Sequence, residues 1–569
     1  MSAPPTPTKQ PASIDDKPQH EEIESVQLGI QLDPTEVAAH APLFRGRRLT
    51  AALAFVAGTG FTLFGYDQGV MSALLTANQF EDTFPQVVVD SSHPNHATLQ
   101  SFLIAIYEVG CLTGALSNLW IGDKLGRRRT IVLGGCIMII GAIVQTASYN
   151  YWQLVVARIF TGFGNGLNTS TVPTYHAECS PAAKRGKLIM LEGSLITFGV
   201  MWFDFALYFV TGSSAQWRVP IALQLVFEFI MVICVGFLPE SPRWLVKHGH
   251  HAEAMAVISA LEDKDPSDAE VQRTYYGIRE AVAIESPGVL ASEEKIESKP
   301  RPSKASLREL LTGGRSQNFR RATIGVVCQM MQQLTGINLI TYYATILFQR
   351  LGLSDVNSRI MAAANGTEYF LASYIAYALV ERVGRRKLML VGTAGQCITM
   401  LLLAILGSIN NGPAQVISAI LLFAFNTFFA IGWLGMAWLY CAELAGLRIR
   451  APANALSTAS NWTFNFVVVM VVGPSFNNIS WRTYIVFAAL NAAIIPVVYF
   501  FFPETGGRSL EDMDVVFALA YNEGLDPVKV SLRKDVPLAG SREADEILGV
   551  NPGLRSRTGN STPSTSVEP

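Results

Sequence analysis

Two ionisable side chains interrupt long uncharged stretches: Asp67, within Phe64-Gly65-Tyr66-Asp67-Gln68-Gly69, and Arg158, within Ala157-Arg158-Ile159-Phe160. If those stretches cross a bilayer, each charge costs ~2.5–3.5 kcal/mol even on a lenient insertion scale, so each must have a use. A carboxylate beside an arginine can lose and regain a proton as its contact with water changes. Proton coupling by Asp67 and Arg158 is the leading expectation; a static buried ion pair is the plainer one. Glu108, Glu192, Asp204, Glu228 and Glu368 lie in similar stretches, and Glu108, Glu192 and Asp204 are secondary candidates for a cavity wall.

A second chemistry is uncharged. Gln329, Gln332, Gln333 and Asn338 share an apolar run with Thr341, Tyr342 and Tyr343. Amides and hydroxyls offer donors and acceptors without charge, as a neutral polyhydroxylated solute requires. The same groups also bond helices to one another in membranes. Gln332, Gln333 and Asn338 are expected to bind substrate. Asn461 adds an amide, and Trp438 and Trp462 offer faces on which the C–H groups of a sugar ring can rest.

Only helices in a bilayer can hold such groups in place. Of 569 residues, 15% are charged, against about 25% in soluble domains. The deficit sits in long runs, which excludes a soluble enzyme, a fibrous chain and a mainly disordered one. A net charge of −2 leaves no electrostatic footprint for nucleic acid. Seven cysteines without a CxxC pair suggest neither a disulfide framework nor a metal or redox centre.

About 20 apolar residues cross the hydrocarbon core, and twelve runs qualify. They are 50–74, 99–121, 130–148, 152–174, 187–211 and 218–238, then 321–347, 358–380, 388–408, 414–440, 455–475 and 482–502. The expected fold class is an all-α integral membrane protein with twelve transmembrane helices in two six-helix halves, 50–238 and 321–502. Lys and Arg concentrate in loops 2–3, 4–5, 8–9 and 10–11, which places both termini in the cytoplasm. An intracellular helical linker, 239–320, joins the halves: Ala252, Met255, Ile258 and Leu261, then Val271, Tyr275, Ile278 and Val282, recur at helical spacing. The tail 1–49 reads as disordered. The tail 503–569 starts with helical character and ends rich in Ser, Thr and Pro.

The chain repeats itself. Gly126-Arg127-Arg128 returns as Gly384-Arg385-Arg386, Glu178 and Arg185 return as Glu443 and Arg450, and Pro239-Glu240-Ser241 returns as Pro503-Glu504-Thr505. Two similar halves around a central site are a transporter architecture. With Arg243 and Glu381, these charges are expected to form a cytoplasmic gate of pairs across the halves. Each exposed pair contributes ~0–1 kcal/mol, weak enough to part in every cycle.

Together with Gln332-Gln333-Leu334-Thr335-Gly336-Ile337-Asn338, Gly122-Asp123-Lys124-Leu125-Gly126-Arg127-Arg128 and Pro239-Glu240-Ser241-Pro242-Arg243-Trp244-Leu245, the stretch Gly65-Tyr66-Asp67 resembles the signature set of the sugar porter family of the major facilitator superfamily. The likeness runs from about 50 to 520 and is nearest to fungal sugar/proton and glycerol/proton symporters. It implies alternating access, sugar binding by Gln332, Gln333 and Asn338, Trp438 and Trp462 near the cavity, and an acid at Asp67 where passive carriers typically have Asn. It also implies Arg158 as the arginine paired with that acid.

Three positions depart from the hexose carriers. Gly193 replaces the span-five Gln, Tyr369 replaces the span-eight amide, and Gly432-Trp433-Leu434-Gly435-Met436-Ala437 lacks the prolines of the span-ten hinge. The expectation is a proton-coupled importer of a neutral sugar, in the plasma membrane, acting as a functional monomer. Glycerol or polyol symport, a passive facilitator and a nutrient sensor are the alternatives. No GxxxxGK[ST] motif for ATP occurs, and no cofactor is expected. Asn478 is the only glycan acceptor expected in an outer loop.

Overall fold

The computed structural model describes residues 33–89, 93, 95–180, 193–197, 206, 208–210, 212–285, 307–409, 411–446, 449–539 and 541–549. The predicted fifth span lies mostly outside them, and so do Arg185, Glu192 and Asp204. A backbone surrounded by lipid must satisfy its own N–H and C=O groups, and the apolar runs are helical throughout the rest. The first half contains α1 (Gly46–Leu74), α2 (His96–Leu125), α3 (Arg127–Thr146), α4 (Tyr151–Glu178) and α5 (Ala215–Gly236). Three short helices follow, α6 (Pro242–Lys247), α7 (His251–Glu262) and α8 (Ala269–Glu285). The second half contains α9 (Asn318–Leu334), α10 (Ile337–Arg350), α11 (Asp355–Val383), α12 (Arg385–Ile409), α13 (Gly412–Gly432), α14 (Met436–Leu444), α15 (Arg450–Asn478) and α16 (Arg482–Phe501). Among the described residues, eight helical segments are long and apolar enough to cross a membrane, the segment Gly412–Leu444 counting as one. The other long helices, α4 and α11, carry more polar side chains.

Two predicted spans are each divided. Span 321–347 breaks between α9 and α10 at Gly336, whose φ of 96° only glycine adopts without strain. Span 414–440 breaks between α13 and α14 at Trp433, Leu434 and Gly435. The second break forms without proline. Gln332 Nε2 donates to the carbonyls of Trp433 and Leu434, at 2.9 and 3.1 Å, and Trp433 O also accepts from the Ala437 N–H at 3.3 Å, so the interruption leaves neither acceptor bare.

Close approach of α2 and α4 sets the site's geometry. A Cβ at Gly110, Gly114, Gly162 or Gly166 would meet a backbone carbonyl of the other helix (Ile159, Phe163, Tyr107 and Cys111 respectively). Small residues let membrane helices touch backbone to backbone, and here that brings Tyr107 and Glu108 beside Arg158. Gly166→Val should therefore remove most correctly folded protein from the membrane fraction, read by fluorescence of a tagged chain. Gly236→Val, where a Cβ meets nothing within 4 Å, should leave that signal unchanged.

The halves meet at the ends opposite the cation-rich loops. Ser101 Oγ lies 3.0 Å from Tyr343 Oη, and Arg359 Nη2 donates to Thr76 O and Oγ1, both at 2.7 Å. At the other end, α6, α7 and α8 pack a small apolar core of their own around Met255, Ile258, Val271 and Tyr275. The C-terminal segment forms α17 (Leu510–Glu523) and docks on the start of α9. There Arg321 pairs with Asp514 and lies over the Phe517 ring, 4.2 Å from its centroid.

Candidate functional site

A cavity of about 100 Å³ lies between the halves. Gln68 of α1 faces it from the first half, and Gln332, Gln333 and Asn338 from α9 and α10. Tyr369 of α11, Trp438 of α14 and Asn461 of α15 complete its polar and aromatic wall, with Phe64 and Phe429 adding apolar faces. Gln68, Phe64 and Phe429 were not singled out by sequence, because neither Gln beside a charge nor Phe in an apolar helix stands out from its neighbours.

The amides are wired to one another. Asn461 Nδ2 donates to Gln329 Oε1 at 2.7 Å and to Gln332 Oε1 at 2.8 Å. With Nε2 held by the α13–α14 break, Gln332 uses both ends of its amide on protein. Asn338 Nδ2 donates to Gln333 Oε1 at 2.5 Å and to Asn465 Oδ1 at 2.7 Å. Gln333 is thereby oriented through its oxygen, and among the described residues its NH₂ has no partner. Orientation by a neighbour and an uncommitted donor on the cavity wall are what a hydroxyl-bearing solute needs.

Two candidates stand elsewhere. Trp462 does not line the cavity: it is fully buried, edge-on to Phe64 with ring centroids 5.5 Å apart, and packs with Tyr107 and Cys111. Successive helical residues point about 100° apart, so Asn461 and Trp462 cannot share one wall. Glu108 is also off the cavity, accepting a hydrogen bond from Tyr342 Oη.

Asp67 and Arg158 are both buried, at 3% and 1% exposure, yet no ion pair joins them. Tyr107 stands between. Its hydroxyl donates to Asp67 Oδ2 at 3.1 Å, and the Arg158 guanidinium lies 5.1 Å from its ring centroid. Arg158 Nη2 donates to Ile104 O at 3.3 Å. The expected direct pair is thus a carboxylate, a phenol and a guanidinium in a row. Sequence could not show this, because Tyr107 is inconspicuous until α2 is seen packed on α4. Glu228 of α5 is fully buried as well, and among the described residues neither of its oxygens has a hydrogen-bond partner.

The repeated charges build the same cage twice. Arg127 Nε and Nη2 donate to Glu178, both at 3.0 Å; Arg385 Nε and Nη2 donate to Glu443 at 3.1 and 2.7 Å. Glu240 accepts from the Arg127 N–H at 2.9 Å, and Glu504 from the Arg385 N–H at 2.8 Å. Ser241 and Thr505 hydroxyls each donate to the central glutamate at 2.6 Å. Glu381 adds a third carboxylate to the second cage, 3.1 Å from Arg385.

Among the described residues these cages close within their own halves, where the sequence reading expected pairs across the halves; Arg185 lies outside the described residues. The donors that complete a cage come from adjacent helices of one bundle, so the local partner is always nearer. Nor are these exposed pairs: the Arg385 and Glu443 side chains are 5% and 15% exposed. Removing one partner of a buried pair costs ~3–5 kcal/mol. Arg385→Ala should therefore lower the melting temperature of detergent-purified protein by several degrees, whereas Arg382→Ala, at an exposed position, should leave it unchanged.

The chain matches the family described as Sugar (and other) transporter over residues 53–517. It is 40% identical over 496 residues to the sugar transporter STL1 of Saccharomyces cerevisiae, covering 85% of this chain and 84% of the yeast protein. To the MFS-type transporter oryC of Aspergillus oryzae it is 40% identical over 483 residues, covering 82% and 85%. The fold is similar to that of the proton:xylose symporter XylE bound to 6-bromo-6-deoxy-D-glucose, with a TM-score of 0.67 at 23% identity over 83% of this chain and 99% of that one.

Proposed function

This chain belongs to the sugar transporter family of the major facilitator superfamily, and from that premise we propose that it is a plasma-membrane importer coupling entry of a neutral sugar or polyol to entry of a proton. The observation that carries this reading is the row Asp67–Tyr107–Arg158, buried just behind a cavity walled by neutral amides. Among the described wall residues a charged solute finds no counter-charge, whereas a hydroxylated one finds donors, acceptors and aromatic faces. The buried acid supplies a place for a proton whose access to water changes as the halves rock.

In the proposed cycle, a proton from outside neutralises Asp67 and frees Arg158 and Tyr107 to rearrange. Solute then binds between the halves, the outer ends close, and solute leaves to the cytoplasm before the proton does. The proton gradient is the energy source and no cofactor takes part. Both termini are placed in the cytoplasm, and the functional unit is one chain.

The test is proton uptake by transporter-deficient yeast expressing this chain, recorded as sucrose, glucose, xylose and glycerol are added in turn. An alkaline shift of the medium with one of them is expected and identifies the solute class. Solute entry without proton movement would leave a passive facilitator. Neither signal, from protein shown to be at the surface, would favour a nutrient sensor.

A further inference from the structure

Glu108 is fully buried on α2, next in sequence to the tyrosine that bonds Asp67. Its Oε1 accepts from Tyr342 Oη, 2.5 Å away on α10, so the bond crosses from the first half to the second. Its Oε2 has no protein partner. The groups around it are Tyr107 and Cys111 of its own helix, Arg158 of α4 and Tyr342 of α10; Asp67 of α1 faces the same Tyr107, Cys111 and Arg158, and also the buried Glu228 of α5. Among these, Arg158 is the one cation, and it faces two buried carboxyls.

A single guanidinium can balance one of them. With both ionised, the cluster holds an uncompensated charge away from water, which is costly at this depth. A proton on either carboxyl removes that excess, so the two compete for the one counter-charge. The partner of Glu108 gives this arrangement a mechanical output. Tyr342 lies four residues beyond Asn338 on α10, about one helical turn, and Asn338 orients Gln333 in the cavity wall. The next residue, Tyr343, meets Ser101 where the outer ends touch. Tyr342 can donate to Glu108 only while those ends are together.

We propose that Glu108 is the second carboxyl of the proton-binding site, and that its bond to Tyr342 transmits protonation to the helix that holds the solute; this rests on the symport reading above. The step moves one proton from outer water onto the Asp67–Glu108 pair and later to inner water, with no other bond made or broken except hydrogen bonds. Opening the outer ends separates Tyr342 from Glu108, and closing them restores the contact, so the hydrogen bonding of the proton site and the position of α10 change together.

The experiment compares wild type, Glu108→Gln, Tyr342→Phe and the double variant in proteoliposomes, using whichever of sucrose, glucose, xylose and glycerol the wild type accumulates. Gradient-driven accumulation, counterflow without a gradient and the pH profile of initial uptake are measured. Either single substitution is expected to cut accumulation about tenfold, a usual size for coupling between two sites, and to alter the pH profile. The double variant should fall no further than the worse single one, because both break one link. Counterflow, which moves no net proton, should persist at reduced rate. Unchanged accumulation and pH profile in either single variant would overturn the proposal. So would loss of counterflow in step with accumulation, which assigns Glu108 to packing alone. Wild-type solute flux with no proton movement would instead overturn the symport reading itself, whatever the variants do.

Discussion

An Asp67→Asn variant should bring its solute no higher inside than outside, whatever proton gradient is applied, while downhill entry continues. The reasoning is thermodynamic. With one proton per solute, 100 mV supplies ~2.3 kcal/mol and one pH unit supplies ~1.4 kcal/mol, which together support about 500-fold accumulation at equilibrium. Asn is nearly isosteric and its Oδ1 can still accept from the Tyr107 hydroxyl that reaches Asp67 at 3.1 Å. The helix contacts should survive, and only the proton is lost. The measurement is the steady-state inside-to-outside ratio of labelled solute, with and without a protonophore. A ratio near one in the variant in both conditions is expected, against a large protonophore-sensitive ratio in the wild type. Concentrative uptake surviving in Asp67→Asn would show that the proton rides elsewhere, with Glu108, the second carboxyl of the proposed site, the first alternative and the fully buried Glu228 the next.

Charges in apolar runs are legible from sequence because their cost is intrinsic: Asp67 and Arg158 announce themselves wherever the neighbours are Phe, Gly and Ile. The amide run in α9 and α10 is legible for the same reason, and the duplicated loop motifs show the two halves without any structure. What a linear pattern cannot supply is the partner across a packed interface. That Tyr107 lies between Asp67 and Arg158 depends on glycines at 110, 114, 162 and 166 letting two backbones touch. That Arg385 pairs with Glu443 inside its own half depends on which helix end is closest, a distance no periodicity encodes. Asn461 and Trp462 illustrate the limit at its smallest scale, one residue apart and on different faces. The absence of proline before Trp438 likewise removed the usual sign of a hinge, yet the chain breaks there because Gln332, 101 residues earlier, caps the carbonyls.

That capping role separates two neighbouring glutamines that sequence treats alike. Gln332 spends Nε2 on Trp433 and Leu434 and shares Oε1 with Asn461. Truncating it leaves the buried Leu434 carbonyl without a donor, at ~1–3 kcal/mol, and takes one of two partners from Trp433 O, which keeps the Ala437 N–H, and from Asn461 Nδ2, which keeps Gln329. Gln332→Ala should therefore reduce both the amount of folded protein and the maximal rate. Gln333 holds only Asn338 through its oxygen and keeps its NH₂ toward the cavity. Gln333→Ala should raise KM for the transported solute about 5- to 150-fold, the range for losing a hydrogen-bonding group of ~1–3 kcal/mol, with normal surface delivery. Asn338→Ala should behave like Gln333→Ala, since it removes the group that aims Gln333, and the double variant should fall short of the product of the two effects. Initial uptake rates over a range of solute concentrations, normalised to surface protein, distinguish the two glutamines. If Gln332→Ala raised KM alone at full expression, or Gln333→Ala left KM unchanged, solute recognition would have to reside in the aromatic wall of Trp438 and Tyr369 instead of the amides.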